Sequence, residues 1–253
     1  MRSSHLAATV LLVGSVLLAG CGADDDSPAA AAPTTVTAPS SSGPTAPSSS
    51  PAAGSTAAGC PATGYALTGT ASAPTLDVDG DGVADTEWIA TQPAPDGSVQ
   101  FGVQTASGGV LTGSIQSASP QARSVLVADV SGEGGLVALA SDGRQVLLYA
   151  LSRCEIVPVT NEQGQQYAFD LGFTGFGTGV GCTDVDGDGT RDLAGLRADG
   201  TSVVSTAVEL DGPRAANGPS STVTAATPEQ LELARQVSCG DLTLAADGVT
   251  SGP

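Results

Sequence analysis

The sequence predicts an all-β fold, a small or incomplete β-propeller-like repeat domain with one short C-terminal helix. Three observations predict it. Short apolar runs recur, from Val125 to Ala128, Leu136 to Ala140, Val146 to Leu151, Leu193 to Leu196 and Val203 to Val208. Asp-Gly pairs stand between such runs at Asp96-Gly97, Asp142-Gly143 and Asp199-Gly200, a hairpin signal. An acidic pattern also returns at intervals of roughly fifty residues, a spacing that suits propeller blades of one small antiparallel sheet each.

The chain opens with Arg2 and then an apolar run from Leu6 to Leu18, broken by Thr9, Gly14 and Ser15. The run is shorter than the roughly 20 residues that span a bilayer and has the form of a signal peptide. Leu18, Ala19, Gly20 and Cys21 follow, and these four resemble the bacterial lipobox. That resemblance implies cleavage before Cys21, after residues 1–20, and a lipid on its sulfur. The protein is then expected at the extracytoplasmic face of a bacterial cell membrane, held there by acyl chains. Beyond Cys21, residues 21–59 are Ala, Pro, Ser, Thr and Gly apart from Val36, with Asp24, Asp25 and Asp26 as their charges. No apolar periodicity appears there, so this stretch reads as a tether.

Composition narrows the chemistry. The chain carries 26 acidic against 8 basic residues, a formal charge of −18. Such a surface offers no phosphate-neutralising footprint, so no nucleic-acid partner is expected, and electrostatics opposes rather than assists contact with anionic headgroups. There is no lysine, and the one histidine, His5, falls in the leader. Triads built on histidine, His-ligated zinc and lysine Schiff bases are thereby excluded from the mature chain. Carboxylate chemistry remains, and Glu87, Glu133, Glu155 and Glu209, which lie outside the two full acidic loops, could contribute a hydrolytic pair. Nothing in their spacing makes them converge, and the chain reads as a non-enzyme.

Composition shifts at Cys60, and residues 60–253 fit one domain. Apart from Cys21, four cysteines remain, Cys60, Cys154, Cys182 and Cys239, an even number that reads as two disulfides in an exported chain. Three pairings are open. The nearest-neighbour choice is preferred, Cys154 with Cys182, leaving Cys60 with Cys239 to tie the domain ends. Near the C-terminus, Thr227, Pro228 and Gln230 form a helix start with a capping box, predicting a helix from Pro228 to about Val237.

The acidic pattern carries the most information. Asp77 to Asp85 reads D-V-D-G-D-G-V-A-D, and Asp184 to Asp192 reads D-V-D-G-D-G-T-R-D. Between them Asp129 opens a reduced version, D-V-S-G-E-G-G, and Val237 to Asp241 parallels Val180 to Asp184 as a decayed fourth copy. Carboxylates at alternate positions of a tight loop present hard oxygens, which suit Ca²⁺ with its six to eight ligands. The expected side-chain ligands are Asp77, Asp79, Asp81 and Asp85 in one loop, with the Val83 carbonyl. In the other they are Asp184, Asp186, Asp188 and Asp192, with the Thr190 carbonyl. Unscreened, four carboxylates at this spacing repel one another. An EF-hand is excluded because Trp88 and Gly195 stand where its twelfth-position Glu belongs and strands flank the loops. In the middle loop Asp129, Ser131 and Glu133 could ligate, but Val137 stands at the ninth position, and a shortened turn without metal is expected.

With these loops the chain resembles the FG-GAP/VCBS repeat family, over about residues 60–253. The resemblance implies propeller-type repeats, calcium on the residues just named, and a role in adhesion or in binding a protein or carbohydrate ligand. The chain departs from the family in lacking a Gly-Ala-Pro after a Phe-Gly, Phe176-Gly177 being the nearest trace, and in having too few repeats for a full ring. An alternative is a structural lipoprotein whose calcium holds the fold and nothing more. Trp88, Phe169, Phe173 and Phe176 are expected to pack in the core, because so aromatic-poor a domain needs its large side chains inside. An exposed Trp88 would instead suggest a sugar-stacking platform.

Overall fold

The computed structural model describes residues 59–252. The expected leader, the lipid on Cys21 and the tether up to residue 58 lie outside the described residues. Three antiparallel sheets carry the rest. The first runs β1 (Thr70–Pro74), β2 (Thr86–Ala90), β3 (Val99–Gln104) and β4 (Val110–Ile115) in spatial order. The second runs β5 (Ser124–Asp129), β6 (Leu136–Ser141), β7 (Gln145–Ser152) and β8 (Glu155–Pro158), with β9 (Ala168–Asp170) also paired to β7. The third runs β10 (Gly179–Thr183), β11 (Asp192–Asp199), β12 (Ser202–Asp211) and β13 (Arg214–Val223). After α1 (Pro228–Leu233) come a two-stranded pair, β14 (Ser238–Cys239) with β15 (Leu242–Thr243), and β16 (Val249–Thr250), which joins the second sheet beside β5. The fold is all-β with one short helix, and none of these sheets closes on itself.

The repeated sequence becomes a repeated meander. In each sheet the acidic loop joins the first strand to the second, and the Asp-Gly pair joins the second to the third. Gly97, Gly143 and Gly200 take φ of 80°, 81° and 60° in those turns, a region that side chains disfavour. The segment read as a decayed fourth copy contributes β14 and a parallel bridge from Val237 to Val180.

The second sheet is buried on both faces. Val125, Val127, Ala138, Ala140, Leu147 and Tyr149 pack against Ile89, Phe101, Val103 and Ile115 of the first sheet. Their neighbours in sequence, Leu126, Val137, Leu139, Val146 and Leu148, pack against Val180, Leu193 and Val208 of the third. Successive strand residues point to opposite faces, so a sheet covered twice needs unbroken apolar runs. That is why V-L-V-A, L-V-A-L-A and V-L-L-Y-A-L occur here. Each fully buried aliphatic contributes about 1.5–3 kcal/mol. Tyr149 meets Phe101 edge-on at 5.0 Å and donates its hydroxyl to the Ser114 carbonyl at 2.6 Å, which satisfies its polar end. A smaller cluster of Ala194, Leu196, Val203 and Ala207 packs against Ala234 and Leu231 at the helix.

Several expectations are corrected. The bridges are Cys60–Cys154, with Cα atoms 5.6 Å apart, and Cys182–Cys239, at 4.5 Å, not Cys154–Cys182 and Cys60–Cys239. The cause is topological. Cys182 on β10 lies beside the parallel-running fourth copy, whose equivalent cysteine is Cys239, while Cys154 sits in the β7–β8 turn within reach of the segment before β1. The helix keeps its Thr227–Gln230 capping box but ends at Leu233, because Arg235 and Gln236 turn on three-residue bonds before Val237 leaves for Val180. Trp88 and Phe169 are buried as expected, Trp88 lying across Gly102, where a Cβ would come within 2.9 Å of the indole. Phe173 and Phe176 are not, being 64 % and 84 % exposed. The Asp170 carboxylate accepts from the backbone N–H groups of Thr174, Phe176 and Gly177 and curls this loop on itself, and no core reaches its two rings.

Candidate metal centres

Both full acidic loops have the same local construction. Asp77 accepts from the Gly80 N–H at 2.8 Å and the Gly82 N–H at 2.7 Å. Asp184 accepts from Gly187 at 2.7 Å and Gly189 at 3.0 Å. Asp81 and Asp188 each accept from the residue two further on, Val83 and Thr190. The leading carboxylate thus winds the backbone around itself, as Asx turns do, and the alternating acids come to one side of the curve.

Two groups of carboxylates converge as a result. Asp77, Asp79 and Asp85 offer oxygens within 4.8 Å of one another, as do Asp184, Asp186 and Asp188. Either group could hold a metal ion. Asp81 and Asp192 stand outside these groups, although the sequence pattern includes them. The Asp192 carboxylate caps the Val185 N–H at 2.9 Å as Asp85 caps that of Val78, and Asp81 accepts from Val83 as Asp188 does from Thr190, so these bonds do not decide which acids converge. Val83 and Thr190, whose carbonyls are the expected backbone ligands, are exposed in their turns.

The two centres differ in surroundings. The second is exposed at all three carboxylates, whereas the first is half-buried at Asp77 and Asp79 and buried at Asp85. Burial pushes the Asp79 carboxyl up, but hydrogen bonds from Cys60, Ser107, Thr105 and Asp81 outweigh it and hold it below its ordinary value. Asp85 is raised, first by burial and further by the charges of Asp79 and Asp77, despite bonds from the Val78 and Ala106 N–H groups. A cation among the three would remove that repulsion. The all-oxygen donor set fits a hard ion of the calcium or magnesium kind rather than a soft one.

The middle loop keeps the backbone but only two of the acids, Asp129 and Glu133. Asp129 accepts from Gly132 at 3.0 Å and Gly134 at 2.8 Å, matching the other two loops. Ser131 binds the Glu133 N–H, and no group of three acids forms there. Arg191, from the second full loop, reaches across to the Asp129 carbonyl at 3.4 Å. A guanidinium therefore lies beside the loop that gathers no group of three acids, a contact for which the sequence carried no signal.

The four glutamates fall on separate elements. Glu87 on β2 is buried between the first two sheets, while Glu133, Glu155 and Glu209 are exposed. A cleft of about 510 Å³ opens beside the curled loop, lined by Ser119, Arg144, Gln145, Phe173 and Phe176. The Arg144 guanidinium lies 4.5 Å over the Phe173 ring. No family model, curated protein or solved structure matches this chain.

Proposed function

We propose that this protein is a calcium-binding β-repeat module of the FG-GAP/VCBS kind, lipid-anchored through Cys21 at the extracytoplasmic face of a bacterial membrane. One observation carries the reading. The same nine-residue acidic loop occurs at the same strand connection of two equivalent sheets, and each copy gathers three carboxylates. The middle loop recurs at the same connection without such a cluster, so it is the gathered carboxylates that set the two full copies apart. Two disulfides agree with an oxidising compartment outside the cytoplasm. The role is binding or display of a protein or carbohydrate ligand. Two phenylalanine rings held in water beside a cleft, on a loop fixed by three backbone bonds to Asp170, support such a role.

Calorimetric titration of the full-length protein with calcium tests the metal assignment. Two equivalents are expected for the unmodified chain and one for Asp77→Ala or Asp186→Ala, while Ser131→Ala in the middle loop leaves two. Absence of any heat of binding would refute it. Metabolic labelling with a palmitate analogue tests the anchor, with label lost in Cys21→Ser.

A further inference from the structure

The two acidic loops are not equally supported, and the difference points to a group outside the sequence pattern. In the second loop, the clustered carboxylates of Asp184, Asp186 and Asp188 accept from N–H groups of their own nine residues. The first loop has the same local bonds, two more N–H donors from elsewhere and a hydroxyl within reach. The Cys60 N–H donates to Asp79 Oδ2 at 2.7 Å, the Ser107 hydroxyl lies 2.9 Å from the same oxygen, and the Ala106 N–H donates to Asp85 Oδ1 at 2.8 Å. Ser107 is also 2.6 Å from the Cys60 carbonyl, so one hydroxyl sits against both the carboxylate and the residue that braces it.

Cys60 is wedged in this position. A Cβ on Gly59 would stand 2.8 Å from Asp79 Oδ2, and one on Gly109 would stand 2.7 Å from the Cys60 Cβ. Yet residues 60–69 contain almost no strand to hold them there. Their backbone is tied by Thr63 to Gly108 and by Thr91 to Gly69, and beyond the chain's continuation into β1 the covalent cross-link that holds them is the bridge from Cys60 to Cys154. The other bridge offers its loop no such donor, since Cys239 Sγ lies 3.6 Å from the Asp129 carbonyl instead.

We propose that the Cys60–Cys154 disulfide and the Ser107 hydroxyl are positioning groups of the first metal site, so that opening this bridge weakens metal binding at the Asp77 loop and not at the Asp184 loop. The inference rests on the reading of both loops as metal sites. A dithiol reductant breaks the sulfur–sulfur bond in two thiol–disulfide exchange steps, passing two electrons and two protons to Cys60 and Cys154 and closing into its own disulfide. The segment before β1 then loses its tether, the Cys60 N–H leaves Asp79, and the carboxylate rotates toward water. Outer-shell partners of this kind commonly hold about 10- to 100-fold of metal affinity.

Calcium calorimetry on the full-length protein tests this in two backgrounds, Asp186→Ala, which leaves the first site, and Asp77→Ala, which leaves the second. Replacing Cys60 and Cys154 together by Ser is expected to weaken the first site by about tenfold or more, with the second unchanged. Ser107→Ala, with both bridges intact, is expected to weaken the first site alone. Unchanged first-site affinity without the bridge overturns the proposal. So does an equal loss at both sites, which would mean general loosening. Where the double serine variant does not fold, Ser107→Ala decides, and an unaltered first site is then the contrary result. If the unmodified protein binds no calcium, the metal reading itself fails, an outcome distinct from binding that ignores the bridge.

Discussion

Glu87 is an acid placed where an acid is costly. It lies on β2, fully enclosed between the first two sheets, with Oε2 accepting from the Val127 N–H at 2.8 Å and Oε1 without a partner. Burial, together with the charge of Asp247, pushes its carboxyl up to about 8, against the bond from Val127. The unfolded chain releases this proton near the ordinary value of 4.5, whereas the folded chain keeps it to about 8. The contribution of the neutral acid is complete below the unfolded value and is lost as pH rises toward the folded one. Glu87→Gln, measured in chelator so that no metal sits at neighbouring Asp85, should therefore gain on the unmodified protein between about pH 5 and 8. The gain amounts to a few kcal/mol, on the order of 1.4 for each pH step between the unfolded and folded values. Parallel melting midpoints across that range would show Glu87 to be ionised in the fold. The sequence marked Glu87 as an acid outside the metal loops but gave no sign of its burial. Strand alternation puts it on the same face as Ile89, which only the packing of β2 on the second sheet reveals. Asp77, Asp79, Asp184 and Asp186 were legible, because their spacing is itself the geometry of the loop.

At the scale of elements, the meander repeat was readable and the cross-connections were not. The Asp-Gly turns and acidic loops fix each hairpin locally, so β2–β3, β6–β7 and β11–β12 follow from short-range chemistry. The disulfides join elements far apart in sequence, and choosing the nearest neighbours gave the wrong pairs. A signal did exist for one bridge. Val237-Ser-Cys239 parallels Val180-Gly-Cys182 in sequence, and the parallel bridge between Val237 and Val180 brings the two cysteines together. Peptide mapping of the unreduced protein should recover Cys60 linked to Cys154 and Cys182 linked to Cys239, with no free thiol among these four. A fragment joining Cys154 to Cys182 would contradict the topology. The helix is a lesser support, with no buried residue between Pro228 and Leu233. Thr227→Ala removes its cap and should cost about 1 kcal/mol, read as a small drop in melting midpoint.

At the scale of the described domain, three sheets pack face to face and acidic loops sit at their strand connections. The unbroken apolar runs of β5, β6 and β7 were legible in the sequence only as strands; the structure shows that they form a middle sheet covered on both faces. What covers its two faces was not legible, because the flanking sheets alternate and any such sheet would serve. The repeated loops lie at the first turn of the outer sheets, where a bound cation would offset the repulsion among clustered carboxylates in a chain of net charge −18. With calcium near 1 mM and dissociation constants of about 0.1 mM, each site would add roughly 1.4 kcal/mol. Two sites would supply about 3 kcal/mol of the ~5–15 typical of a domain. The most direct test is the melting midpoint of the full-length protein in excess chelator and in millimolar calcium. Calcium is predicted to raise the midpoint by several degrees, about half as much in Asp186→Ala. Coincident midpoints in calcium, magnesium and chelator would contradict the assignment of the two loops as metal sites.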